Sequence, residues 1–207
     1  MRRLNVTLLA LAALSLATSA GATPVTLSIF SSDYTPASVL DATFDFSVVG
    51  STLTLVATND TTAPDEFNIN QVYFNASSAV TSLTLTSATH SVEGDVMSGW
   101  LLLLTDVMVD GFGDFDFGLS DGEGEPSISL IGPSESVTFV FAISGTGPFS
   151  DADFIEENLQ GLIAAAKFVN GPGDDSALGA VPEPSTALLL ASGLLLMGAR
   201  SRSRRRR

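Results

Sequence analysis

Through the middle of the chain apolar and polar residues alternate with a period of two, in short runs separated by Gly, Pro, Asn and Asp, which is the pattern of half-buried strands. Val25 to Phe30 opens the series. Phe44, Phe46 and Val48 share one strand face, Gly50-Ser51 reads as a turn, and Leu53 and Leu55 share a face of the next strand, so the three pieces predict a hairpin. A polar loop from Asn59 to Glu66 contains Pro64, and strands are expected over Phe67 to Phe74 and Ala79 to Thr86. Trp100 to Val109 is apolar apart from Thr105 and Asp106 and is flanked by Gly99 and Gly111, which predicts a strand buried on both faces. Phe115, Phe117 and Leu119 then oppose Asp114 and Asp116. Ser127 to Ile131 and Ser136 to Ile143 follow, the latter with Val137, Phe139, Phe141 and Ile143 on one face.

One short helix is expected where Ser150-Asp151-Ala152-Asp153 forms a capping box, Phe154, Ile155 and Leu159 make an apolar face, and Gly161 stops it. Leu162 to Val169 reads as the last strand. The expected fold is therefore all-β: a single antiparallel β-sandwich with one short helix over residues 23–170. Residues 171–180, rich in Gly, Asp and Pro, read as a linker.

Both ends carry addresses. Arg2 and Arg3, the apolar stretch Leu4 to Ala17 and Ala20-Gly21-Ala22 have the order of a secretory signal peptide over residues 1–22, with cleavage after Ala22 and Ala20 as the alternative; its partners are the secretory translocon and signal peptidase. At the other end, the fourteen residues from Thr186 to Ala199 would form a helix of about 21 Å, short of a hydrocarbon core of about 30 Å. It is expected to act as a transmembrane helix, followed by a cytoplasmic stop signal of Arg200, Arg202, Arg204, Arg205, Arg206 and Arg207.

Ahead of that apolar run stands Val181-Pro182-Glu183-Pro184-Ser185-Thr186, whose prolines hold their neighbours extended and accessible. This order of motif, apolar helix and arginine cluster over residues 181–207 resembles the PEP-CTERM sorting signal of exported bacterial proteins. The resemblance implies recognition by an exosortase-like membrane protease, cleavage near the motif, transient anchoring in the inner membrane with a cytoplasmic C-terminus, and delivery to the cell envelope or medium. It also implies an association with exopolysaccharide and biofilm. Two body stretches, Phe112-Gly113-Asp114-Phe115-Asp116-Phe117-Gly118 and Ser134 to Phe141, resemble ectodomains that precede such tails; this implies a sandwich and no assigned activity.

Charge becomes informative once the ends are set aside. Between residues 23 and 180, Lys167 alone stands against 22 acids, a formal charge of −21 against −14 for the whole chain. Such a polyanion lacks the Lys and Arg that binding nucleic acid or anionic lipid requires, so no nucleic-acid partner is expected. The chain has no cysteine, which excludes disulfides, thiol nucleophiles and thiolate metal sites.

The residues with suitable atoms for a site are Asp110, Asp114, Asp116, Asp121 and Glu123, with Glu125 beyond, on a strand end and a Gly-rich loop; they are the candidate ligands of a Ca²⁺ ion, although the spacing matches neither an EF-hand nor a repeated calcium motif. The competing reading is a solvated strand face and loop. No other cofactor is expected. His90 is the only histidine, and no Gly-x-Ser-x-Gly elbow accompanies it, so no catalytic residue is assigned and the chain is expected not to be an enzyme. Trp100, Tyr34 and Tyr73 could stack on sugars, with burial the better expectation for Trp100. Asn59-Asp60-Thr61 and Asn75-Ala76-Ser77 match the glycosylation pattern. The expected role is that of an exported surface or matrix protein. The alternatives are a secreted carbohydrate-active hydrolase, which needs two carboxylates flanking a cleft, and a non-catalytic glycan-binding module.

Overall fold

The expected hairpin is present: Ala42–Val49 pairs antiparallel with Thr52–Asn59 in the register Phe44↔Ala57, Phe46↔Leu55, Val48↔Leu53. Gly50 makes the turn possible at φ +63, a conformation that costs a side-chain-bearing residue. The computed structural model describes residues 23–27, 29–31, 40–62, 67–121, 129–171 and 176–182. Among these the strands are β1 (Thr23–Thr26), β2 (Ile29–Ser31), β3 (Ala42–Val49), β4 (Thr52–Asn59), β5 (Asn68–Phe74), β6 (Val80–His90), β7 (Gly94–Asp95), β8 (Trp100–Val109), β9 (Gly113–Asp121), β10 (Ser136–Gly145), β11 (Leu162–Val169) and β12 (Ala177–Pro182). They form two six-stranded sheets, ordered β1-β3-β4-β10-β6-β7 and β2-β12-β11-β5-β9-β8.

The sheets meet through the alternating apolar faces. On one, Phe44, Phe46, Leu53, Leu55, Phe139 and Phe141 are fully buried; on the other, Val72, Phe74, Leu119, Ala164, Ala166 and Phe168 are. Phe74 is the hub, with ring centroids 5.7 Å from Phe46, 5.6 Å from Phe117, 6.0 Å from Phe141 and 6.5 Å from Phe154. Nearer β8, Trp100 meets Phe139 edge-on at 4.9 Å. Successive strands β1 and β2 lie at one lateral edge of the two sheets and β7 and β8 at the other, so the chain itself stitches the layers together on both sides.

Several expectations are corrected. The opening run is two short strands in different sheets, β1 and β2. Of Ser127 to Ile131, the described part contributes the single bridge Ile131↔Ile69. The apolar run of β8 is not buried on both faces: β8 is an edge strand, with Leu101 57%, Leu104 54% and Met108 79% exposed. The strand enclosed on both faces is β11, where Ala164 and Ala166 join the main core while Leu162 and Ala165 join a second cluster with Tyr73, Val109, Phe112, Phe115 and Ala180. Small side chains let both faces be covered closely, whereas β8 carries bulky ones that the outermost position leaves in water.

The short helix shrinks to one 3₁₀ turn, Asp151–Phe154, although its capping box forms with Ser150 and Asp153 as the sequence predicts. Phe154 is buried, but Leu159 is fully exposed. Asn158 explains the difference: its Oδ1 accepts from the backbone N–H groups of Gln160 and Leu162, each at 3.0 Å, and its Nδ2 donates to Phe112 O at 2.8 Å. These bonds hold residues 158–162 in a turn and offer the backbone an alternative to the helix.

The largest correction lies at the C-terminal end of the fold. Part of the expected linker, together with the start of the sorting motif, is a strand: β12 lies between β2 and β11, pairing Ala165↔Ala180, Ala164↔Val181 and Leu162↔Pro182 on one side and Gly179↔Phe30 on the other.

Candidate functional site

β12 carries Val181 and Pro182, the first residues of the candidate sorting motif, into the sandwich. Ala180 is fully buried and Val181 3% exposed, while Pro182 is half-buried at the strand end. Pro182 has no N–H to donate, a property tolerated where a ladder stops. Glu183, Pro184, Ser185, Thr186, the expected transmembrane stretch to Ala199 and the arginines Arg200, Arg202, Arg204, Arg205, Arg206 and Arg207 lie outside the described residues, as do residues 1–22, where a signal peptide is expected. Among the described residues no helix is long and apolar enough to cross a membrane.

The described acids of the stretch do not gather. Asp110 lies exposed in the β8–β9 turn, and Asp114 and Asp116 stand exposed on one face of β9. Asp121 shares parity with Phe117 and Leu119 and so leaves the other face, seven residues or about 24 Å beyond Asp114. Two of these carboxylates are already engaged: Asp116 Oδ2 accepts from Ala76 N–H at 2.9 Å, and Asp121 Oδ1 accepts from the Ser129 hydroxyl. Among the described residues no group of three or more His, Cys, Asp or Glu could hold a metal ion; Glu123 lies outside them.

His90 is buried at the end of β6 and serves as a turn clamp. Its Nδ1 accepts from the N–H groups of Val92 at 3.1 Å and Glu93 at 3.2 Å, which assigns the neutral ring's proton to Nε2, 3.2 Å from Leu130 O. Glu135 Oε2 lies 3.4 Å from that same nitrogen. With both ring nitrogens committed, neither is offered to a nucleophile. Trp100 is buried as expected, its Nε1–H donating to Ser129 O at 3.2 Å. Tyr73 is buried too; its hydroxyl donates to Gln71 and burial pushes its pKa up to about 12. Neither ring is a platform for a sugar, and Tyr34 lies outside the described residues.

Two of the surface cavities contain an acidic residue, while another of about 630 Å³ beside Gly50 and Phe149 is lined by no described carboxylate. One of about 310 Å³, at the open margin between β6 and β8, contains Asp116, Ser77, Leu104 and Phe117. The other, about 360 Å³ on the outer face of the second sheet, contains Asp110, Lys167, Tyr73 and Met108. Among the described residues each of these two holds a single carboxylate, whereas glycoside hydrolysis needs a facing pair.

The two glycosylation-like asparagines turn out to be internal brackets, which sequence reasoning missed. Asn59 is fully buried, and its Nδ2 donates to Phe67 O and Ile131 O, each at 2.8 Å, while its Oδ1 accepts from Thr61 N–H at 3.0 Å. Asn75, 3% exposed, donates to Leu162 O at 2.9 Å and Ile163 O at 3.2 Å, and its Oδ1 accepts from Asp116 N–H at 3.3 Å. Their position at strand ends, next to chain that must cross between layers, was the available signal.

Among the described residues, three carboxylates have pKa values moved from the ordinary range. Burial raises the pKa of Asp41, helped by the charge of Asp60, against an opposing bond from Ala42 N–H; burial likewise raises that of Asp121 against the bond from Ser129. Both bind a proton more readily folded than unfolded, so stability rises as pH falls through their raised folded values. Asp153 is lowered, chiefly by its bond from the Ser77 hydroxyl; its contribution is present above the ordinary carboxylate range and lost as pH falls through its depressed value. With the anionic body's self-repulsion also relieved by acid, the melting temperature is expected to rise from about pH 8 to about pH 5 and to fall below about pH 4. A calorimetric pH series checks this; a monotonic fall from pH 8 downward would contradict it.

No curated protein and no solved structure matches the chain. Residues 180–207 match the family model of the PEP-CTERM protein-sorting motif, a match that starts inside β12. The chain is thereby a protein with a PEP-CTERM sorting domain at its C-terminal end.

Proposed function

We propose that this protein is an exported, non-enzymatic component of the cell envelope or extracellular matrix, whose sandwich is an acidic interaction module and whose tail is the substrate of an exosortase. The match over residues 180–207 carries the reading, because the motif implies export, sorting and an exosortase as processing partner. The body supports it in three ways: His90 is committed to a turn, Trp100 is buried, and among the described residues the two acid-bearing cavities hold one carboxylate each. Exopolysaccharide and a biofilm or floc are the surroundings in which such a surface would operate, held at a distance from other polyanions unless cations bridge them.

Glu183→Ala and Pro184→Ala test the sorting role, since both lie beyond β12 and leave the sandwich intact. In the native host each variant is expected to shift most of the chain from the processed form to a membrane-fraction form that retains Arg207. An unchanged ratio of processed to full-length chain would overturn the reading.

A further inference from the structure

The sorting motif and the fold overlap: Ala180, Val181 and Pro182 belong to the matched segment and also to β12. A protease reads its substrate as an extended strand through backbone hydrogen bonds. In β12 those groups are already engaged, from Ala177↔Phe168 to Pro182↔Leu162 on the β11 side and from Leu178↔Ser31 to Ala180↔Ile29 on the β2 side. Val181 is also packed in the main core. Cutting within Ala177–Pro182 would require stripping an interior strand out of a sheet.

We propose that the folded sandwich sets the N-terminal limit of processing: the scissile bond lies C-terminal to Pro182, and the mature protein retains β12 entire. This rests on the processing reading above. Four residues, 183–186, separate Pro182 from the apolar run that begins at Ala187, a reach of at most about 18 Å. The protease therefore works in a narrow interval between the end of β12 and that run. In the reaction one backbone C–N bond in this interval breaks. Water adds to the carbonyl carbon, and the departing nitrogen takes a proton, leaving a carboxylate on the body and an amine on the tail peptide.

Two measurements on the wild-type full chain test the limit. Intact mass of the mature protein from its native host is expected to place its last residue between Pro182 and Thr186. A terminus at Val181 or earlier overturns this inference while upholding processing; an intact Arg207 overturns both. Independently of any exosortase, limited digestion of the folded full chain with a broad-specificity protease is expected to halt at or just beyond Pro182. Trimming into 171–176 with the remaining sandwich intact would show that β12 does not protect the segment and would overturn the inference even if processing stands.

Discussion

Phe74→Ala is expected to destabilise the sandwich by about 3–5 kcal/mol, enough to take a large share of the 5–15 kcal/mol typical of a domain. Phe74 is fully buried and is the ring through which Phe46 and Phe141 of one sheet meet Phe117 of the other, with Phe154 closing the end. Removing it leaves a cavity walled by four other aromatic side chains, three of them, Phe46, Phe117 and Phe141, on strands tied by ladders on both sides, so the space cannot collapse fully. Urea denaturation of the exported body checks the value. Leu159→Ala is the control: Leu159 is fully exposed, and its replacement is expected to stay within about 0.5 kcal/mol. A Phe74→Ala cost no larger than the control's would mean that the sheets do not meet as described.

The second large effect is expected at Asn59. Its two donor hydrogens join Phe67 O to Ile131 O, and its oxygen receives Thr61 N–H, all in a fully buried setting. Asn59→Ala removes three buried hydrogen bonds, although Ile131 O keeps the one it accepts from Ile69 N–H, and is expected to cost about 2–4 kcal/mol. Asn59→Asp is the sharper substitution. A carboxylate still accepts from Thr61 but cannot donate, so it sets negative charge against two carbonyl oxygens and pays desolvation as well. The expected order is therefore Asp worse than Ala at neutral pH, with the gap narrowing in acid as the carboxyl gains a proton with which to donate once. An Asp variant as stable as wild type at pH 7 would remove Asn59 as a bracket. Neither Asn59 nor Asn75 is expected to carry a glycan in the folded protein, since a modified Nδ2 could not make these bonds.

The two predictions concern residues that the linear pattern treated very differently. Phe74 ended an expected strand and belonged to its apolar set. Asn59 was read as the start of a polar loop, although it completes the inward-facing series Leu53, Leu55, Ala57 of β4. Polarity argued for solvent; the partners that make burial tolerable come from positions 8 and 72 residues away and cannot be seen locally. The described acids Asp114, Asp116 and Asp121 show the reverse relation. These three carboxylates are near one another in sequence, but the extended β9 separates Asp121 from the other two by distance and by face.

What the sequence alone determined is whatever depends on short range: the alternation of β3, β4, β9 and β10, the Gly50 turn, the capping box at Ser150, and the linear motif that a protease reads one residue after another. Tertiary structure decided which strands are central and which are edges. Hydrophobic content pointed to β8 as central, yet the sheets place it outermost and enclose the alanine-rich β11. It also decided where the fold stops. Ala177–Pro182 has little strand propensity of its own, with Ala, Gly and Pro making up most of it, and becomes a strand because β2 and β11 lie on either side to receive it. Small side chains and a waiting ladder made that segment part of the body, and so the sorting motif begins inside the domain it is expected to release.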